Sequence, residues 1–121
     1  MKYEIGDIVW VAEFEDANKE IINHHYFVVI DDDGNLIPAD YFGFVISSNT
    51  KKSKEHSIFK YNEPIKRSKT NRLKSDSIVK CDQLFTIPKK TINYRLGSVD
   101  VEDMLRFLKA YEEFLKSNSN N

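Results

Sequence analysis

One cysteine, Cys81, is all the thiol chemistry in the chain's 121 residues. An intramolecular disulfide and a cysteine-based zinc cluster are therefore excluded. Two readings of the lone thiol remain: a nucleophile beside Asp82, or a buried packing residue, as cysteines commonly are. Long apolar runs are lacking too, since none approaches the roughly 18 to 20 residues that a membrane span needs. Met1-Lys2-Tyr3-Glu4 does not lead into the apolar segment of a secretory signal, so a cytoplasmic protein is expected. The acidic run Asp31-Asp32-Asp33-Gly34-Asn35 lacks the downstream glutamate that closes a twelve-residue calcium loop, and reads as a turn. Positive charge is scarce at the start: residues 1–49 hold two lysines against ten acids.

The missing cations stand further on. Residues 50–77 carry nine Lys/Arg against three acids, within a chain whose net charge is −1. Clustered cations attract and steer a polyanion, while a solvated loop kept charged for solubility is the competing reading. A hydrophobic fraction of 40%, with 12% aromatic, is enough for one core. Residues 1–116 are expected to form a single domain, and 117–121 a disordered polar tail.

Hydrophobic periodicity supplies the elements. Ile8 to Phe14 reads as a strand with Trp10 anchoring the core, and Tyr26 to Ile30 as a second strand entered through His24 and His25. Tyr41 to Ile46 is a third, leaving through Ser47, Ser48 and Asn49. Ile58 to Tyr61 and Ile65-Lys66 are weaker candidates separated by Asn62-Glu63-Pro64. The stretch Ser77 to Ile87 reads as one strand, with alternation placing Lys80 and Asp82 side by side and Cys81 on the opposite face. Such a pair is either a rim salt bridge or an acid/base couple. From Asp100, an N-cap candidate followed by Glu102 and Asp103, an amphipathic helix runs to Lys116. Its apolar arc, Val101 to Leu115, is wide enough for either a broad core face or a dimer contact. Short strands followed by one helix argue for a mainly β fold with a C-terminal helix, a small curled antiparallel barrel.

Three blocks, in order, resemble the MazF/PemK/Kid toxin family. Gly6-Asp7-Ile8-Val9-Trp10-Val11 is similar to the family's opening strand, and His25-Tyr26-Phe27-Val28-Val29-Ile30 to its second. Ser77-Ile78-Val79-Lys80-Cys81-Asp82-Gln83 with Thr86-Ile87 is similar to the Val-Val-Arg-Cys-Asp-Gln…Thr-Ile segment of PemK and Kid. The resemblance covers nearly the whole chain. It implies a small SH3-like barrel of the PemK/CcdB type and a metal-independent endoribonuclease toxin of a toxin-antitoxin module, with no cofactor. It further implies a homodimer, and a cognate antitoxin that is protein rather than RNA.

In that family's reaction the ribose 2′-hydroxyl attacks the adjacent phosphorus of single-stranded RNA and the 5′-oxygen leaves. This needs a base, an acid and donors to the charged phosphorane. The resemblance assigns Asp82 to the carboxylate position proposed as base and puts Lys80 where PemK and Kid carry an arginine that acts as acid or phosphate clamp, a planar fork exchanged for a mobile point charge. His25 stands where relatives often have an arginine and brings a proton-transfer group that titrates near neutrality. Ser47 replaces a threonine whose hydroxyl contacts phosphate. His24, Ser48, Asn49, Lys51, Lys52, Lys54, Lys60, Lys66, Arg67, Lys69 and Arg72 are the expected RNA-binding set. Phe59 and Tyr61 are candidates for base stacking or for a strand's core. The rival reading is a non-catalytic SH3-like barrel that binds protein or nucleic acid, including a CcdB-type toxin acting on gyrase.

Overall fold

β-Branched and aromatic runs become strands here because both faces of the sheet find cover. The computed structural model describes residues 2–52 and 59–119. The sheet is built from β1 (Asp7–Val11), β4 (His25–Asp32), β5 (Asp40–Ser47), β6 (Asn62–Ile65), β7 (Ser77–Lys80), β8 (Phe85–Pro88) and β9 (Ile92–Ser98). A separate hairpin pairs β2 (Phe14–Glu15) with β3 (Ile21–Ile22). Strand order is β6-β7-β5-β4-β1-β9, with β8 also on β5, and every pairing is antiparallel. The expected β-rich fold with a terminal helix is present. The barrel is not closed, because β6 and β9 end the sheet without meeting.

Alternation sorts the core into two clusters. Ile8, Val28, Phe44, Ile46, Val79 and Cys81 face the helix α1 (Val101–Ser119), which lays Met104, Phe107 and Ala110 on them. Val9, Val11, Phe27, Val29, Val45 and Ile87 form the other cluster. Burial on both faces explains why β4 and β5 read as continuous apolar runs rather than as alternating ones. Trp10 belongs to neither buried cluster; it is half-buried, contrary to the core anchor expected of it.

Three further expectations are corrected. The Ser77–Ile87 strand is two strands, since β5 pairs β7 through Ile46 and Ser47 but β8 through Asp40 to Gly43. The chain leaves the β5 edge between them, in a turn that begins with the buried Cys81 and the exposed Asp82. The Asn62-Glu63-Pro64 separator is itself strand β6, where Pro64 is tolerated because β6 is an edge and pairs only with β7. The Ile58 to Tyr61 candidate falls partly outside the described residues; Phe59 and Lys60 are turn-like.

Asp100 caps α1 as expected, its Oδ1 accepting from the Asp103 N–H at 2.8 Å. The helix continues through Ser117 to Ser119, into the segment expected to be a tail. Its buried strip is narrow, leaving Val101 at 74% and Leu105 at 62% exposure, with Leu108 and Leu115 also open. Arg106, which the wheel places opposite the apolar arc, clasps the sheet: it donates to Glu63 at 3.1 Å, to the Pro64 carbonyl at 2.8 Å and to Asp103 at 2.7 Å. No helix among the described residues is long and apolar enough to cross a membrane.

Candidate active site

Register brings the first candidates together. Tyr26 lies opposite Ile46, so one residue further His25 comes beside Ser47, and Ser47 in turn pairs with Ile78, two residues before Lys80. His25, Ser47 and Lys80 thus project to the same face, and with Gln83 they line a cavity of about 230 Å³. His25 and Ser47 also wall a second cavity of about 420 Å³, which opens toward Trp10, His24, Tyr26 and Lys74. A third, of about 430 Å³, shares Ser48, Lys74 and Ser75 with the second and adds Arg67. The three form a track along one end of the sheet.

Each reacting candidate is conditioned by its surroundings. Partial burial, and then the Lys80 charge, hold the His25 imidazole below its ordinary 6.5, so at neutral pH it is an uncharged base. The Asn49 N–H donates to Ser47 Oγ at 3.2 Å, which leaves the hydroxyl proton of Ser47 free to point toward an anion. Asp82 does not line any of the three cavities; the strand break turns it into solvent, and Gln83 takes the wall position instead. The side-by-side arrangement of Lys80 and Asp82 on one strand is therefore replaced by a strand residue followed by a turn residue. Cys81 is fully buried and packs in the helix-side cluster, where burial pushes its thiol well above the usual range and rules against a nucleophile.

The basic block is a built loop as well as a charged one. Asn71 is 3% exposed, and its Oδ1 accepts from Ser68 and Leu73 N–H while its Nδ2 donates to the Lys66 carbonyl. The Arg67 N–H is held by Asp76 at 2.9 Å, and Ser98 N–H on β9 donates to Thr70 O at 3.1 Å. This presents Lys74 and Ser75 to the cavities. Of the expected RNA-binding set, His24, Ser48 and Arg67 line the track. Asn49, Lys51, Lys60, Lys66, Lys69 and Arg72 lie off its walls, while Lys54 and the side chain of Lys52 fall outside the described residues. Lys60 sits over the Tyr61 ring, and Tyr61 packs edge-on against Phe114 of α1, so that ring is committed to the helix rather than to the track.

Lys74 closes the basic stretch Lys51 to Lys74 whose expected use is to hold the RNA backbone, and it lines the track. Trp10, Tyr26 and Gln83 line it too and were not singled out as binding residues from the sequence. Trp10 and Tyr26 read as ordinary core residues of an apolar strand until their partial exposure and place in the cavity lining were seen.

Comparison with known proteins bears on the family and the fold. The family model for PemK-like, MazF-like toxins of type II toxin-antitoxin systems matches residues 4–115. No curated protein matches the chain. Among solved structures, an endoribonuclease in complex with its cognate antitoxin, from mycobacterial species, superposes with a TM-score of 0.65 at 14% identity, covering 95% of this chain and 96% of the other. The Mycobacterium tuberculosis toxin MazF-mt6 gives 0.61 at 12% identity, over 91% and 96%. A further mycobacterial endoribonuclease gives 0.63 at 13%, over 93% and 89%. At such identities these structures speak to the fold.

Proposed function

The chain belongs to the family of PemK-like, MazF-like toxins of type II toxin-antitoxin systems, and from that premise we propose that it is a metal-independent endoribonuclease cleaving single-stranded RNA. The observation that carries the reading is the convergence of His25, Ser47 and Lys80 on one cavity. Neutral His25 takes the proton of the ribose 2′-hydroxyl as the new O–P bond forms. The Ser47 hydroxyl donates to a phosphorane oxygen, and the Lys80 ammonium supplies charge and a proton to the 5′-oxygen as the P–O bond breaks. The products are a 2′,3′-cyclic phosphate and a 5′-hydroxyl. Purified protein incubated with a long single-stranded RNA in EDTA should yield those ends; intact RNA, or 3′-hydroxyl ends, would sink the reading.

The pH dependence follows from His25. Its neutral form is the active one and persists below pH 6.5, so kcat/KM should fall off only at lower pH. Removing a neighbouring cation eases protonation, and Lys80→Met should move that acid limb upward. The move is partial because burial is the larger cause. A pH–rate profile with its acid limb unmoved in Lys80→Met would separate Lys80 from His25.

We take residues 1–116 as one toxin domain acting in the cytoplasm, as a homodimer silenced by a cognate protein antitoxin. Support for self-association comes from Val101, Leu105, Leu108 and Leu115, exposed at alternating spacings of four, three and seven along α1. Leu105→Glu is expected to convert the dimer to monomer in sedimentation with little change in thermal stability. A wild-type monomer at micromolar concentration would refute the dimer.

A further inference from the structure

One row of the sheet is left unexplained by the reaction. Trp10 of β1 is the register partner of both Tyr26 on β4 and Tyr94 on β9, so three aromatic rings stand side by side across three strands. The row is preorganised. The Tyr26 and Tyr94 hydroxyls are hydrogen-bonded at 2.9 Å, and the Tyr26 ring packs against Trp10 at 4.6 Å between centroids. Beside them the His24 ring lies nearly parallel to the indole, 5.9 Å away with 21° between planes. Trp10 is half-buried and Tyr94 is 45% exposed, which is unusual for rings this well ordered by one another.

The row ends at the second cavity of the track. Trp10, His24 and Tyr26 supply its aromatic lining, His25 and Ser47 are shared with the reacting cavity, and Lys74 completes the lining as its one cation among the described residues. Its volume of about 420 Å³ falls within the ~300–1,000 Å³ typical of sites for small organic molecules. Aromatic rings, an ammonium and the hydroxyls of Ser48 and Ser75 in one cavity suit a ligand that is both flat and anionic. A purely hydrophobic peptide side chain would leave Lys74 and those hydroxyls unanswered.

We infer that this cavity is a base-binding subsite: an unpaired nucleobase of the nucleotide adjoining the cleaved bond packs against the open faces of the Trp10, His24 and Tyr26 cluster, while its phosphate lies near Lys74 and Arg67. The inference rests on the RNA-cleavage reading and adds to it a nucleotide position. Tyr94 is a positioning residue, fixing the Tyr26 ring through the shared hydroxyl bond. Stacking on aromatic rings tolerates every base, so the subsite secures the strand and leaves sequence choice to other contacts.

Trp10 is the chain's only tryptophan, and its emission therefore reports on the subsite in the unmodified protein. A single-stranded oligodeoxynucleotide lacks the 2′-hydroxyl and binds without being cleaved. It should quench Trp10 saturably and bind about 5- to 100-fold more tightly than an abasic oligomer with the same number of phosphates. In a parallel arm, RNAs carrying one abasic ribose at successive positions should lose cleavage efficiency by a similar factor at one position flanking the cleaved bond. Tyr94→Phe should weaken oligonucleotide binding while the base-to-abasic preference falls. Equal affinity for the abasic oligomer, or binding with unchanged Trp10 emission, overturns the subsite. Cleavage of RNA with no position sensitive to base loss overturns it while leaving the nuclease reading in place. Saturable, base-dependent quenching without any RNA cleavage keeps the base site and removes the nuclease, and the absence of both ends both.

Discussion

Replacing His25 with alanine is expected to lower kcat/KM for RNA cleavage by about 100-fold or more, the usual contribution of a positioned general base. The expectation rests on place as much as on residue type. His25 is shared between the two cavities of the track, stands beside Ser47 across the β4–β5 ladder, and is held uncharged by burial and by Lys80. Its side chain is exposed enough that alanine should leave the fold intact, and near-UV circular dichroism with thermal melting would verify this. The informative contrast is Asp82→Ala. That carboxylate turns to solvent outside the cavities, so its loss should cost less than about tenfold, below what a positioned base contributes. Parallel kinetics decide between the two: a larger loss at Asp82 than at His25 would transfer the base to the carboxylate and refute the assignment made here.

A comparably large effect on stability is expected at Gly97, a residue of β9 that lines none of the three cavities. A Cβ there would lie 2.5 Å from the Thr70 carbonyl oxygen and 2.7 Å from that of Asn71, backbone atoms with no rotamer by which to retreat. Gly97→Ala should therefore destabilise the fold by about 3 kcal/mol, the upper end of overpacking costs. It should also push the 66–76 loop off β9. Because that loop carries Lys74 into the track, RNA affinity should fall along with the melting temperature. Denaturant unfolding and oligonucleotide titration test both parts. Unchanged stability would mean that the loop does not rest on β9 as described, and normal RNA affinity in a folded variant would detach Lys74 from binding.

How far these features could be read from residues alone varies with what determines them. β1, β4 and β5 were legible because β-branched and aromatic runs bounded by turn formers leave few alternatives, and the Asp100 cap announced α1. The break at Cys81 was not. Ser77 to Ile87 is a continuous strand-like pattern, and its division is imposed by β5, which accepts β7 and β8 on different stretches of one edge. Likewise Pro64 argued against a strand at 62–65, and only the place of β6 at the sheet's margin made one possible. In the candidate site, the candidates for reaction came from a family resemblance and the cations from composition. What those signals could not carry was cross-strand register, which set Trp10 in a row with Tyr26 and Tyr94, and the buried amide of Asn71, which turned a charged loop into a fixed wall.

The Arg106 clasp has a bearing on how the chain behaves among other copies of itself. An open sheet exposes strand margins that invite pairing with a neighbouring chain, the first step toward aggregates. At β6 the guanidinium occupies the Pro64 carbonyl and binds Glu63, and Pro64 itself has no N–H to offer. What a closed barrel would gain by joining its first and last strands is obtained at this margin by one helical side chain and one imino acid. That margin is thereby guarded against growing, strand upon strand, into fibrous assemblies.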